Sequence, residues 1–345
     1  MALSKIDVAN MVENQIPQAN IDNNVNFRNI IINGDQSIAQ RGTSTSSLSS
    51  GANYGATDRF KLFGVTFGTW TMSQSTDVPT GQGFAKSLKM NCTTANGSLS
   101  SDSQAQIQQA FEGQNLQYLK KGTSNAESLT WSFWTKSNKT GTYICQIRDI
   151  DNSRSISKSY TILSANTWEK KIITFPGDTT GALDNNNEKS FEIRWWLVAG
   201  TDFTSGTLAT SWASETSANN AVGQVNLADS TSNEWYLTGA QLEVGQTASE
   251  FEFLPHEINE NRCLRYFEDY KGPNTHAGLY SSPTYIGHLF YKVRKRTRPT
   301  LSNASGSYTN LTISSSGDKG GTDGFFFTRT AANTYVTSIH ISAEL

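Results

Sequence analysis

Apolar and polar residues alternate along much of this chain. In the segment LTWSFWTKS, Leu129, Trp131 and Phe133 fall on one side of an extended chain, and FEIRWWLVAG repeats the pattern. A period of two indicates strands with one buried and one solvated face, as in antiparallel sheets. Because many such segments are separated by turn-rich stretches, the predicted fold is all-β, a β-sandwich of the jelly-roll type.

The segment EWYLTGAQLEV is expected to be one of these strands. Strict alternation along it predicts that a single face carries Tyr236, Thr238, Ala240, Leu242 and Val244. The first strongly apolar segment, NIIINGDQSIAQRG, places three consecutive isoleucines after a polar N-terminal stretch. We expect these isoleucines to open the sandwich.

Length and composition divide the chain into three parts. The 345 residues exceed one ordinary small core, and 17% charged residues with 27 glycines favour short strands and turns over long helices. Residues 1–28 offer one short apolar helix face after a capping box at Ser4–Asp7, which needs a partner to be buried. We predict a docking arm at 1–28, a jelly roll at 29–255 and a C-terminal β-domain at 256–345; a disordered N-terminus is the alternative to the arm.

The C-terminal domain presents an unusual apolar pattern. In GFFFTRT, Phe325 and Phe327 would share one face of a strand while Phe326 occupies the other. A unit of this size with two apolar strand faces is marginal alone. We therefore assign it to an interface between copies of the chain, with packing against the jelly roll as the alternative.

Charge and cysteine use exclude several classes of function. A net charge of −2 argues against a nucleic-acid partner, and the basic run Lys292–Arg298 is interpreted as exposed positions of one strand. Cys92, Cys145 and Cys263 form no CxxC pair, which argues against zinc and a disulfide framework. No apolar run is long enough to span a bilayer, so we expect no membrane insertion.

Motifs for catalysis are missing from the sequence. There is no HExxH helix, GxSxG elbow or phosphate-binding GxxxxGK[ST] loop, and acidic residues sit mostly in turns. We expect no enzyme activity, no cofactor and no metal. A calcium loop at RDIDNS remains an alternative, although it lacks the central glycine and distal glutamate of an EF-hand.

Several segments resemble, in order, the jelly-roll domains of bacteriophage tail fibres and related virion proteins, which are similar to carbohydrate-binding modules. These segments are IINGDQSIAQRG, TDRFKL, LTWSFWTKS with GTYICQI, YTILSANTWEKKIITFPGDTTG, WWLVAGTDF, AVGQVNLADSTSNEWYLTGAQLEVG and RCLRYFE. The resemblance implies a structural virion protein, usually a homotrimer, that recognises a host surface. It also implies synthesis in a bacterial cytoplasm and release by lysis, and it suggests a structural calcium near Asp35 and Gln241, to which we do not commit.

Aromatic residues are the leading candidates for ligand contact. Flat rings can stack on the C–H surface of a sugar while polar neighbours bond its hydroxyls. The candidates for ligand binding are Trp134, Tyr143, Trp196 and Trp212. The alternative is that a long loop, the terminal arm or another subunit covers these rings.

Three functions follow from these expectations. The first is a fibre protein attached to other virion proteins by its N-terminal arm, whose β-domains bind a host surface polysaccharide. The second is a capsid-decorating or head-fibre protein with the same fold. The third and least favoured is a depolymerase that cuts the polysaccharide it binds.

Overall fold

The computed structural model describes residues 27–270, 277–281, 284–305, 311–314, 321–329 and 338–345. The short N-terminal helix predicted from residue 4 lies outside the described residues, as does most of the predicted docking arm.

Two antiparallel sheets form the body of the molecule, and they confirm the predicted all-β sandwich. Thirteen strands build them: β1 Ser44–Leu48, β2 Gly51–Tyr54, β3 Lys61–Val65, β4 Thr69–Ser75, β5 Ser87–Thr94, β6 Gln104–Glu112, β7 Leu129–Ser137, β8 Gly141–Asp149, β9 Arg154–Ile162, β10 Glu169–Phe175, β11 Lys189–Ala199, β12 Ala213–Ser214 and β13 Glu234–Val244. The six-stranded sheet has the order β1-β4-β5-β13-β7-β10, and the seven-stranded sheet has the order β12-β9-β8-β11-β6-β3-β2.

Helices are few and short in the described parts of the chain. Those described are α1 Thr201–Thr204, α2 His256–Leu264, and the 3₁₀ turns Gly113–Asn115, Gln117–Leu119, Ser217–Asn219 and Leu227–Asp229. None of the helices in these ranges is long and apolar enough to cross a membrane.

The core lies between the two sheets and is built from the alternating rows. Trp131 and Phe133 from the six-stranded sheet meet Trp195 from the seven-stranded sheet, all with no exposed surface. The rings of Trp131 and Trp195 pack edge to face with centroids 4.5 Å apart. Since burying each large apolar side chain contributes about 1.5–3 kcal/mol, this cluster is a principal source of stability.

Strand β13 departs from the predicted single row because it contains a bulge. Its register against β7 shifts between Thr238 and Gln241. Gly239, inside the shift, has φ of +58°, and a Cβ there would lie 2.5 Å from the Phe84 ring. The bulge inverts the alternation, so that Leu237 is in the core before it and Ala240 and Leu242 after it. The prediction that Tyr236 and Thr238 share a face with Ala240 and Leu242 is therefore wrong.

The isoleucine segment runs beside β13 without forming a regular strand. Ile30 N donates to Leu242 O and Ala240 N donates to Gly34 O, both at 2.9 Å. Ile31 is 1% exposed and belongs to the main core. The segment thus contributes to the sandwich, as expected.

The C-terminal part contains two further sheets. They consist of β14 Phe267–Tyr270, β15 Ala277–Ser281, β16 Thr284–Phe290, β17 Thr300–Ser305, β18 Leu311–Ser314, β19 Gly324–Arg329 and β20 Ser338–Ser342. The three-stranded sheet is ordered β14-β20-β17 and the four-stranded sheet β15-β16-β19-β18. The predicted burial of an apolar face of GFFFTRT against other copies of the chain concerns side chains outside those that the structure describes.

Ionic contacts hold the last residues against the sandwich. The Glu344 carboxylate accepts hydrogen bonds from Arg59 and, at 3.3 Å, from Arg41. The Arg41 guanidinium also lies 3.4 Å from the centre of the Phe267 ring. These contacts pack the last residues against the sandwich, and the interface between copies of the chain stays a prediction for the C-terminal domain.

The basic run Lys292–Arg298 does not form the exposed strand that we expected. It lies between β16 and β17. Lys295 is 1% exposed and its Nζ lies 2.8 Å from the Glu268 carboxylate, while Arg296 is 8% exposed. Lys295 and Arg296 therefore contribute to packing inside the protein, because a carboxylate and backbone carbonyls accept their hydrogen bonds.

Candidate functional site

The outer face of the seven-stranded sheet carries a row of polar side chains in register. Lys61 on β3 pairs with Gln108 on β6, which pairs with Arg194 on β11. Arg194 in turn pairs with Gln146 on β8, and Gln146 pairs with Ser157 on β9. Directly paired residues of antiparallel strands point to the same side, so these five groups line up across five strands. We call this surface the polar row.

A chain of glutamine amides runs along β6 through the polar row. Gln108 Nε2 donates to Gln106 Oε1 at 2.7 Å, and Gln106 Nε2 donates to Gln104 Oε1 at 2.9 Å. Gln104 is half-buried, and its amide nitrogen donates no hydrogen bond among the described residues. The hydrogen bonds along Gln108, Gln106 and Gln104 thus fix the orientation of the Gln104 amide, whose N–H groups remain free to donate.

Glu192 is the centre of charge on this face. Its carboxylate lies 2.7 Å from Arg194, 3.0 Å from Lys189, 3.7 Å from Arg148 and 4.0 Å from Lys61. Burial acts to raise the pKa of Glu192, but the surrounding cations outweigh it and lower the pKa to about 2. The carboxylate is therefore ionised at neutral pH and holds the cationic heads in place.

A loop closes one end of the polar row. Gln146 Nε2 donates to Asn220 Oδ1 at 2.7 Å, and Ser157 Oγ donates to Asn220 O at 2.8 Å. Gln146 and Ser157 are fully buried, whereas the Lys61 and Arg194 side chains keep 11% and 12% of their surface. The accessible groups of the row are therefore Lys61 on β3 and Arg194 on β11, since Gln108 between them on β6 is 2% exposed.

Trp196 belongs to the same face but lies beneath this loop. Its ring packs 5.3 Å from Phe203 in a small cluster with Ile144 and Ala221, and it has no exposed surface. Its Nε1 donates to Gln146 Oε1 at 3.3 Å. The structure therefore supports the alternative of a covering loop for Trp196, because the ring cannot meet a ligand while residues 200–224 are in place.

Tyr143 lies in the main core and not on a ligand-accessible surface. Its ring stacks on Tyr160 with centroids 5.6 Å apart, and its hydroxyl donates to Lys139 O at 2.8 Å. The phase of β8 sends Tyr143 inward with Cys145 and Ile147. The structure does not support Tyr143 as a ligand contact.

Trp134 and Trp212 are both half-buried but lie far apart in the fold. Trp134 is on the outer face of the six-stranded sheet, in register with Lys170. Trp212 stacks on Phe191 at 6.1 Å, and its Nε1 donates to Pro176 O at 2.7 Å. The four candidate aromatics thus do not form one site, and sugar contact by these two stays a prediction.

A second set of rings and charges lies on the outer face of the six-stranded sheet. We call it the lysine–aromatic row; it comprises Lys89, Tyr236, Lys136 and Trp168. The Lys136 Nζ is 4.4 Å from the Tyr236 ring centre and 5.5 Å from that of Trp168. Each lysine also has its own carboxylate, Asp77 for Lys136 and Glu234, at 2.5 Å, for Lys89. The positive charges of the lysine–aromatic row are therefore balanced by these adjacent carboxylates.

Sequence reasoning missed the glutamines of β6. In QAQIQQAFE, the alternating Gln104, Gln106 and Gln108 are a visible signal of a polar outer face. Gln109 breaks the pattern because it points inward and bonds both backbone groups of Ile32, at 2.8 and 3.0 Å. The partners across the sheet could not be identified without the strand order.

The described residues contain no group of three or more histidine, cysteine or acidic side chains placed to hold a metal ion. At the RDIDNS turn, the buried Asp149 carboxylate lies 2.5 Å from Lys121 Nζ and accepts a hydrogen bond from Asn152. Asp35 accepts a hydrogen bond from Asn259 at 3.1 Å. Both carboxylates that were considered as calcium ligands, Asp149 and Asp35, thus already interact with neighbouring side chains.

Comparisons with known proteins give similarities only at the level of solved structures. No family model matches the sequence, and no curated protein matches it. A putative sugar binding protein from Bacteroides thetaiotaomicron VPI-5482 shares 10% identity over 63% of this chain and 100% of its own, with a TM-score of 0.34. The C-terminal family 22 carbohydrate binding module of Clostridium thermocellum Xyn10B shares 12% identity over 64% of this chain and 98% of its own, with a TM-score of 0.30.

A phage protein is also among the similar structures. It is the enzymatically active domain of tailspike protein 4 of bacteriophage CBA120, with 15% identity over 63% of this chain and a TM-score of 0.33. The match spans 22% of the tailspike chain. These values describe a distant likeness.

Proposed function

We propose that this protein binds a polysaccharide across the outer face of the seven-stranded sheet. The observation that carries the proposal is the polar row, in which the cationic groups of Lys61 on β3 and Arg194 on β11 stay accessible on either side of β6. Strands lie about 4.8 Å apart, so these groups repeat across roughly 10 Å. A sugar chain lying across the strands would meet Lys61 and Arg194 in the row, and Gln104 at the start of β6.

The chemistry of the face suits hydroxyl-rich ligands. Gln104 offers a free amide donor, and Arg194 offers a guanidinium fixed by Glu192. The half-buried Phe63 ring lies in register with Gln106, one row away. Amides and guanidinium groups that bond sugar hydroxyls beside an apolar ring are the usual components of a preformed sugar site.

The same geometry supports binding without cleavage. A glycosidase needs a carboxylic acid whose pKa is raised so that it can protonate the leaving group. Glu192 has the opposite property, since its pKa is lowered to about 2 by the surrounding cations. We therefore propose a binding protein and not a depolymerase, and new reducing ends in the binding samples would contradict this.

Affinity electrophoresis in gels that contain single polysaccharides tests the binding site. The panel includes soluble neutral glucans, xylan and polysaccharides extracted from bacterial envelopes. We expect at least one to retard the wild-type protein, and Arg194→Ala and Gln104→Ala to weaken that retardation. Because Arg194 would contribute a charged hydrogen bond, its removal should lower affinity about ten- to hundredfold.

Lys170→Ala is the matched control, because Lys170 is an exposed cation on the outer face of the other sheet. It should leave retardation unchanged. If Arg194→Ala and Gln104→Ala migrate like the wild type while Lys170→Ala does not, the binding face is assigned to the wrong sheet.

The biological setting that we propose is a phage virion, with this chain as a fibre protein anchored by residues 1–28. The support is the ordered set of sequence segments that resemble tail-fibre jelly rolls; a capsid-decorating protein with the same fold is the alternative. Particles assembled with a chain that lacks residues 1–26 should lose the protein while the truncated chain still folds. Loss of folding on truncation would count against a docking arm.

A further inference from the structure

A separate cavity lies at the junction of the sandwich with helix α2. Its volume is about 320 Å³. It is bounded by the isoleucine segment, by the 3₁₀ turns after β6 and by the end of α2. The residues that line it are Phe27, Asn29, Ile30, Ile32, Phe111, Glu112, Asn115, Leu116, Tyr118, Arg262, Arg265 and Tyr266. This volume is at the lower end of the range of about 300–1,000 Å³ for small-molecule sites.

The carboxylate in the cavity wall is fully occupied. Glu112 accepts two hydrogen bonds from Arg265, both at 2.7 Å, and one from the Tyr266 hydroxyl at 2.6 Å. Burial acts to raise the pKa of Glu112, but these hydrogen bonds outweigh it and the pKa is lowered. Glu112 is therefore ionised, and its charge is neutralised by Arg265.

Arg262 is a cation with no direct ion pair among the described residues, although the Glu252 carboxylate acts on it from beyond 4 Å. Its Nη2 donates to Asn29 O at 3.0 Å, and no carboxylate in the described ranges lies within 4 Å of it. Burial lowers its pKa, but a guanidinium stays charged in proteins. Among the side chains that line the cavity, the two guanidinium groups of Arg262 and Arg265 and the single carboxylate of Glu112 sum to one net positive charge.

The remaining walls combine apolar and aromatic surface. Ile30, Ile32 and Phe111 are buried side chains that form the apolar wall. At the mouth, the Tyr118 side chain is 50% exposed and offers a ring face. Asn115 adds an exposed amide that can bond hydroxyl groups.

We propose that this cavity binds a hexuronic acid residue, with its carboxylate on Arg262 and its ring against Tyr118. One net positive charge matches the single charge of a carboxylate, and the guanidinium fork fits its two oxygens. Tyr118 can cover the C–H face of a pyranose while Asn115 bonds its hydroxyls. The site shares no residue with the polar row, so it does not depend on the function proposed for that row.

The test compares D-glucuronate with its methyl ester by saturation-transfer and chemical-shift NMR on the full chain. The ester keeps the ring and hydroxyls but lacks the charge. We expect the acid to bind at least about tenfold more tightly than the ester, because a charged hydrogen bond is lost. Equal binding of acid and ester would overturn the proposal, as would equal binding of acetate and glucuronate.

Variants locate the site. Arg262→Gln should abolish the preference for the acid, and Arg262→Lys should keep part of it because the charge remains while the fork is lost. Tyr118→Ala should weaken both ligands about equally. Arg294→Gln is the matched control, since its side chain is 73% exposed in another part of the chain. A preference that survives Arg262→Gln in a folded protein would exclude this cavity, and the ester comparison on wild type decides the case if that variant unfolds.

Discussion

The two outer faces of the sandwich carry similar residue types but use them differently. On the six-stranded sheet, Lys89 and Lys136 each have a carboxylate and an aromatic ring, so their charge is balanced within the row. On the seven-stranded sheet, four cations surround Glu192, and among the described residues only Arg148 also pairs with a second carboxylate, that of Glu215. Four positive charges against two negative ones leave an excess that a ligand can use. Composition is thus a weaker guide to a binding face than the balance of partners.

The largest expected difference between the faces concerns their tryptophans. Trp196 is fully buried beneath a loop, so Trp196→Ala should lower the free energy of unfolding by about 3–5 kcal/mol. Trp134 is half-buried on the open face of the six-stranded sheet, so Trp134→Ala should cost about 1 kcal/mol. Urea denaturation followed by circular dichroism measures both.

These two variants also distinguish a covering loop from a mobile one. If Trp196→Ala costs no more than Trp134→Ala, residues 200–224 do not cover the ring in solution. Trp196 would then return as a ligand contact. Addition of polysaccharide should in that case quench its fluorescence.

A smaller difference is expected from the carboxylates of the two faces. The folded-state pKa of Glu192 lies below its ordinary value of 4.5, so the stability it contributes is present above pH 4.5 and is lost as pH falls towards 2. The full contribution is about 3 kcal/mol, and Glu192→Gln should show this deficit at neutral pH. The pKa of Glu234 is also lowered, but its pair with Lys89 is partly exposed, so Glu234→Gln should cost less than about 1 kcal/mol.

Urea titrations at neutral pH and at about pH 2 measure these differences. The stability gap between wild type and Glu192→Gln should narrow as the pH falls, because wild-type Glu192 becomes protonated. A gap that stays constant, or equal gaps for both variants at neutral pH, would show that Glu192 is not the centre of charge described here.

Alternation alone was sufficient to predict the sandwich core. Trp131, Phe133 and Trp195 lie where their period of two placed them, because strand side chains alternate and the apolar side is buried. The same rule failed at Tyr143, whose strand phase cannot be fixed when polar and apolar residues occupy both faces. It also failed at Trp196, because the side of the strand was right but the loop that covers it is remote in sequence.

The candidate sites depend on register and could not be predicted in the same way. Lys61 and Arg194 lie in one row only because the strand order places β3 and β11 on either side of β6, where both pair with Gln108. Arg262 meets Asn29 across 233 positions of sequence. Hydrogen bonding between distant segments, and not local propensity, creates both surfaces.

The bulge at Gly239 has a consequence for recognising relatives of this chain. Side chains alternate between core and surface on both sides of the bulge, but the core-facing positions have odd numbers before it and even numbers after it. An alignment that matches hydrophobic positions without an inserted residue will assign one half of β13 to the wrong side of the sheet. Relatives that lack the bulge residue would have the same fold but would present different side chains outward. Their sequences would therefore differ more than their structures.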